Sequence, residues 1–219
     1  LNGCTCSGLA LWREIGVRTA KAQLRTEDKM KNIDFLLPLL GKHHAGTLRH
    51  CQSVAMHMLE WAAYMDFSSK EMNKAFVCGM VHDIGKFCVS KDILNKSGAL
   101  SEREQTVLEF HPEYGEMLLK AMGLAEISLV ILYHHERYDG QGYQEGLKEA
   151  EIPFLSRMIA VCDVFDEITN RRGHIRNMDS GQALLEIEHS AGTELDPWLC
   201  KQFIGYINVI EQRYAKYLI

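Results

Sequence analysis

An all-α fold is the prediction, and three features of the sequence carry it. Apolar residues recur at the spacing of a helix face, as in Leu48, Cys51, Val54, Ala55, Met58, Leu59 and Ala62. Two Ser-x-x-Glu pairs, Ser68 with Glu71 and Ser101 with Glu104, form the capping box that starts a helix. No run of alternating β-branched residues is bounded by hairpin turns.

Taken in order, the first fifty residues predict two amphipathic helices, roughly 7–24 and 27–40, the second carrying Phe35-Leu36-Leu37 ahead of Pro38 and Gly41. A longer helix follows at about 46–65, with His50 and His57 as polar exceptions on its apolar pattern. The helix opened by Ser68 is expected to stop at Gly85, which leaves His82 and Asp83 on its last turn. Helices at about 113–121 and 124–135 come next, the second ending in His134-His135-Glu136. The stretch 137–152 is rich in turn residues, contains Asp139-Gly140-Gln141-Gly142-Tyr143, and is a candidate lid. Pro153 suits the first turn of a helix whose apolar residues Ile159, Val161, Phe165 and Ile168 have Asp163 and Asp166 among them. Helices at about 180–190 and 196–217 close the chain. With no repeat, low-complexity tract or linker, residues 1–45 read as a helical extension or connector and 46–219 as one domain.

The composition fits an ordinary globular protein: 219 residues, 47% apolar and 24% charged, enough to bury a core without disulfide or metal staples. A net charge of −5 provides no field for a nucleic-acid polymer, so a polyanionic substrate needs local cations. No apolar run approaches the roughly 20 residues of a membrane span, and no complete signal peptide opens the chain. The expected location is cytoplasmic. Seven scattered cysteines read as reduced core thiols, and Cys4-Thr-Cys6 lacks the second pair that a zinc site would need. The absence of an opening Met fits a piece of a longer protein with a sensory part outside this sequence.

Chemistry concentrates in the histidines. Both His82-Asp83 and His134-His135 fall at the ends of apolar helices, where ionisable groups are costly unless partnered. A metal would compensate them. Successive helical residues point about 100° apart, so adjacent ligands reach neighbouring metals or opposite sides of one. A carboxylate such as Asp83 can bridge two cations. An imidazole-rich set without thiolates disfavours magnesium and calcium and leaves iron, manganese, zinc, nickel or cobalt.

At these positions the sequence resembles the HD-GYP family, a branch of the HD phosphohydrolases. The resemblance covers about residues 46–200. It runs in order through His50, His82-Asp83-Ile84-Gly85-Lys86, His111-Pro112, His134-His135-Glu136-Arg137-Tyr138-Asp139-Gly140-Gln141-Gly142-Tyr143 and Asp163-Val164-Phe165-Asp166. It implies an HD-domain helical bundle that hydrolyses cyclic di-GMP to linear pGpG, and onward to GMP, by hydroxide attack at a binuclear centre. Carried over, His50, His82, Asp83 and Asp163 would hold one metal, and Asp83, His111, His134 and His135 the other, with Asp83 as the bridge. Two transition-metal ions per chain are implied, iron first and manganese next. Lys86, three residues after Asp83, would stabilise charge on the phosphate or the leaving oxygen. Tyr143, Arg172 and Asp166 would join it in binding substrate.

Three departures from the family pattern stand out. The Gly-Tyr-Pro triplet is Gly142-Tyr143-Gln144 here, which removes a fixed φ. Ile175 stands where many members have a basic residue, with Arg176 beside it. Gly46 occupies the place from which a glutamate holds a third metal in some members, so two metals are expected. Two alternatives remain: hydrolysis of another cyclic nucleotide such as cyclic GMP-AMP, and a catalytically weak cyclic-dinucleotide-binding module. A homodimer is compatible with either.

Overall fold

The computed structural model describes residues 26–170 and 180–217. The helix expected at 7–24, the Cys4/Cys6 pair, Arg172, Ile175 and Arg176 lie outside those residues. The described chain is helical, with ten α-helices: α1 Thr26–His43, α2 Ala45–Tyr64, α3 Ser69–Val81, α4 Lys91–Leu94, α5 Glu102–Glu109, α6 His111–Ala121, α7 Ala125–Leu132, α8 Phe154–Thr169, α9 Ser180–Ser190 and α10 Pro197–Tyr217. Short 3₁₀ turns occupy Ile84–Cys88 and Glu149–Glu151. No strand occurs among the described residues, and the all-α expectation holds. Both capping boxes form: the Ser68 and Ser101 hydroxyls accept from the Glu71 and Glu104 backbone N–H groups.

The chain divides into two compact units, Leu1–Arg49 with Asp83–Leu132, and His50–His82 with Tyr133–Ile219. In the first, α6 packs on α7 and on the Ile84–Cys88 turn, and α1 packs on that same turn. Its core includes Ile33, Leu40, Ile84, Val89, Leu118, Leu119, Ile127 and Ile131. The sequence placed a helix stop at Gly85, but the helix ends at Val81 and Gly85 lies inside the 3₁₀ turn. Its lack of a side chain serves packing instead. A Cβ there would lie 1.9 Å from the His111 carbonyl oxygen and 2.5 Å from the Gly115 nitrogen, so two backbones meet at this point.

In the second unit, α3 and α8 pack together, and α8 lies against α9 and α10. Trp61, Met58, Met158, Ile159, Ile187, Leu199, Phe203 and Tyr206 are fully buried there. Gly79 lets α3 approach α2, since a Cβ would meet the Ala55 Cα at 2.6 Å. His57 is a core histidine, its ring set edge-on to Phe165 and Phe203. Burial pushes the Cys162 thiol well up and the Cys200 thiol to about 12, which keeps both inert.

Two boundaries differ from expectation in ways that matter for the site. The helix expected to run through residue 135 stops at Leu132, so His134, His135 and Glu136 lie on the turn beyond it. The helix expected at 113 begins at His111, because Pro112 is tolerated in a first turn. The 137–152 stretch is tied down at its base. Tyr138 and Asp139 donate their backbone N–H groups to the Glu194 and Thr193 carbonyls, and Arg137 pairs with both Asp139 and Glu194.

Candidate metal centre

The second unit supplies four histidines and two aspartates. His50 projects from α2, His82 caps the C-terminus of α3, and Asp163 and Asp166 lie one turn apart on α8. His82 is fully buried, with Nδ1 2.8 Å from the Gly79 carbonyl oxygen. A carbonyl only accepts, so Nδ1 carries the proton and the neutral ring presents a lone pair at Nε2. His50 is oriented the same way, its Nδ1 donating to Asp166 Oδ2 at 2.7 Å. The result brings three electron-pair donors together. His50 Nε2 lies 3.2 Å from His82 Nε2 and 2.7 Å from Asp163 Oδ1, and His82 Nε2 is 3.8 Å from that oxygen.

Lone pairs at such separations repel unless a proton or a metal cation sits among them. Ligands about 2.0–2.2 Å from one cation are themselves roughly 3–3.5 Å apart; the His50–His82 separation falls in that range and the other two lie within about 0.3 Å of it, so the set is close to what a transition metal takes. The support behind it fits as well, because each imidazole is held through its other nitrogen by a carbonyl or a carboxylate. Burial works against ionisation of Asp163. When a proton rather than a cation sits among these atoms, His50 Nε2–H donates to Asp163, and that bond with the charge on the neighbouring imidazoles outweighs burial and holds the Asp163 carboxyl below its ordinary range. Asp166 shows the same balance, with burial opposed by bonds from His50, Ser53 and Asn170. On the turn after α7, the His134 ring lies 5.4 Å from that of His82 and 4.0 Å from that of His135.

The first unit repeats the pattern on a smaller scale. Asp83, 1% exposed, directly precedes the Ile84–Cys88 turn. Its Oδ2 accepts from the Lys86 ammonium at 2.6 Å, and its Oδ1 lies 3.1 Å from His111 Nε2. His111 Nδ1 donates to the Leu108 carbonyl at 2.7 Å, which leaves Nε2 as the nitrogen that faces Asp83. His82 and Asp83 are joined by a peptide bond, so this doublet is where the two sets meet in sequence.

Of the residues expected to touch substrate, Lys86 stands beside Asp83 and Tyr143 is 45% exposed with its ring 5.8 Å from that of His135. Asp166 faces inward instead, with Oδ2 on His50 and Oδ1 accepting from Asn170. Its three-residue spacing from Asp163 was the signal that both share one helix face. The sequence reading gave Glu136 no role. It is buried, accepts from the Glu145 backbone N–H at 2.6 Å, and lies so close to Gly142 that a Cβ there would meet its Oε2 at 2.2 Å. Upstream, His43 Nε2 donates to the Val89 carbonyl, and His44 is held by Thr47 and Asn95 with its ring over Gly46.

An all-helical fold carrying buried His-Asp sets of this kind defines an HD-domain protein. The family model described as HD domain matches residues 34–199, and the chain belongs to that family. It is 34% identical over 165 residues to a cyclic di-GMP phosphodiesterase of Pseudomonas aeruginosa, covering 74% of this chain and 40% of the relative. It is 29% identical over 171 residues to a 3′3′-cGAMP-specific phosphodiesterase of Vibrio cholerae, covering 78% of this chain and 37% of that one. The chain thus spans about two fifths of the length of these relatives. Among solved structures, an HDG"Y"P protein from Bdellovibrio bacteriovorus matches with a TM-score of 0.61 at 14% identity, over 82% of this chain and 61% of that one. At that identity the likeness shows the fold.

Proposed function

We propose that this chain is a metal-dependent phosphodiesterase that opens cyclic di-GMP to linear pGpG, and onward to GMP, at a binuclear centre. The observation that carries the reading is the convergence of His50 Nε2, His82 Nε2 and Asp163 Oδ1, each imidazole locked from behind by a hydrogen bond to its other nitrogen. In this reading His50, His82, Asp83 and Asp163 would hold one cation, and Asp83, His111, His134 and His135 would hold a second. Two such cations supply Lewis acidity for the phosphodiester oxygens and a hydroxide near neutral pH. Iron is the first expectation and manganese the second.

The protein's own groups do the rest. Lys86 places its ammonium beside the Asp83 carboxylate, where it can meet charge developing on the phosphate. Asp166 fixes the His50 ring and its tautomer. Tyr143 presents an exposed ring on which a base can stack, and Arg172 is assigned to a phosphate oxygen on the family resemblance alone. Two metals rather than three are proposed from Gly46, which offers no side-chain ligand at the place where the family resemblance puts a third site.

We assign residues 46–219 to the catalytic domain and 1–45 to a helical extension that links to a sensory domain or to a second copy of the chain. No described helix is long and apolar enough to cross a membrane, and a cytoplasmic location suits the proposed substrate. The likeness to a 3′3′-cGAMP-specific enzyme makes that dinucleotide the competing substrate. Hydrolysis of cyclic di-GMP, 3′3′-cGAMP and cyclic di-AMP by one metal-loaded preparation decides between them. The reading expects the highest kcat/KM for cyclic di-GMP, and a clear preference for either of the others overturns the substrate assignment.

A further inference from the structure

Lys86 lies on a five-residue 3₁₀ turn, a form whose hydrogen bonds are poorly aligned and which rarely holds itself in place. On one side, Gly85 sets the turn against the backbone of α6. On the other side the last residue of α1 grips it. The His43 Nε2–H donates to the Val89 carbonyl at 2.8 Å, and the His43 ring packs at 5.2 Å on Phe87, the residue after Lys86. Val89 in turn closes the turn, donating its backbone N–H to the Lys86 carbonyl at 3.1 Å. A further tie runs from the Lys91 ammonium to the Lys42 carbonyl at 3.2 Å. Phe87 and Val89, one and three residues after the lysine, are therefore both held by one imidazole.

We propose that His43 is a positioning residue for Lys86, holding the turn from which the lysine ammonium reaches Asp83 Oδ2. The inference rests on the phosphodiesterase reading, in which Lys86 meets charge on the phosphate. A lysine side chain has four rotatable bonds, so the place of its ammonium depends on a fixed backbone. Displacement of a charge-stabilising group by about 1 Å is enough to cost up to about 10²-fold in rate. His43 touches no reacting group. Its effect passes through the turn, so its loss should cost nothing once Lys86 is gone.

The test is a double-mutant cycle on the metal-loaded full chain, using His43→Leu, His43→Gln, Lys86→Ala and the His43→Leu/Lys86→Ala pair. His43→Leu keeps the contact with Phe87 and removes the donor, and His43→Gln restores a donor for Val89. The expected result is a kcat on the order of tenfold lower in His43→Leu, with KM within about twofold and metal content unchanged. His43→Gln should recover most of that loss, and His43→Leu should change kcat less than about twofold in the Lys86→Ala background. Amide exchange in metal-free protein should quicken over residues 84–89 in His43→Leu and return toward wild type in His43→Gln. Equal rate losses in both backgrounds, or a wild-type kcat with unchanged exchange, overturn the proposal. A wild-type protein that hydrolyses no cyclic dinucleotide overturns the phosphodiesterase reading instead, while the exchange measurement still decides whether His43 holds the turn.

Discussion

Replacing Gly85 by Ala adds one methyl group at the point where the Ile84–Cys88 turn meets α6. That methyl would fall 1.9 Å from the His111 oxygen, 2.5 Å from the Gly115 nitrogen and 2.9 Å from the His111 carbon, all backbone atoms. No rotamer change relieves the clash, and the two segments must part by about 1 Å to restore even a tight contact. Overpacking of this kind costs on the order of 3 kcal/mol, offset by up to about 1 kcal/mol from the lower entropy of the unfolded chain. At about 2–4 °C per kcal/mol for a chain of this length, Tm should fall by roughly 4–12 °C. The same parting carries His111 Nε2 away from Asp83 Oδ1, now 3.1 Å distant, and should weaken the proposed metal binding by that pair. Thermal unfolding in the presence of a chelator measures the first effect, and a metal titration at 20 °C measures the second. Gly98→Ala is the control, because nothing lies within 4 Å of a Cβ there, and it should leave Tm within about 2 °C of wild type or raise it. A Gly85→Ala protein with wild-type Tm and metal affinity would refute the close-approach argument.

Other outcomes follow from particular atoms. Asp166→Asn keeps the shape of the group behind His50 but removes its charge, and should weaken metal binding about 10–100-fold with little change in fold, as read by competition with a chromophoric chelator. Gln144 buries both polar atoms of its carboxamide without hydrogen bonds, so Gln144→Pro removes a desolvation cost of about 1–3 kcal/mol and fixes φ; it should lower KM for cyclic di-GMP and leave metal content unchanged. Burial holds the His57 pKa below its ordinary 6.5, with Asp166 and Glu60 opposing more weakly. The unfolded chain therefore takes up the proton first as pH falls, and stability fully present above pH 6.5 drains away below it. His57→Phe should lose less stability than wild type between pH 7 and pH 5 in denaturant titrations, and an unchanged loss would remove His57 from the acid response.

Where local rules decide structure, the sequence was a sufficient guide. Ser68 and Ser101 cap helices through contacts within four residues, and both were readable as such. The His82-Asp83 and His134-His135 doublets stood out because ionisable side chains at the ends of apolar runs require partners. The readings that shifted depend on distant contacts. Gly85 looks like a helix stop from its neighbours alone, yet its role is set by the backbone of His111 and Gly115. The Val130-Ile131-Leu132 run gave no reason to end a helix before His134, and the helix stops there nonetheless. Asp166 was read as a substrate contact, although its spacing from Asp163 placed it on the same face and the fold turns it to His50. Helix α4 was overlooked because its four residues carry no periodicity; Ser90 caps it by accepting from the Ile93 N–H.

The proposed phosphodiesterase depends on metals held by these histidines and aspartates. Its most direct test is anaerobic loading with ferrous iron or manganese, metal analysis per chain, and chromatography of the products from cyclic di-GMP. About two metals per chain and metal-dependent release of pGpG are expected, abolished together with metal binding in Asp83→Ala. Fully loaded protein that leaves cyclic di-GMP intact, or hydrolysis that persists in metal-stripped protein under chelator, would contradict it.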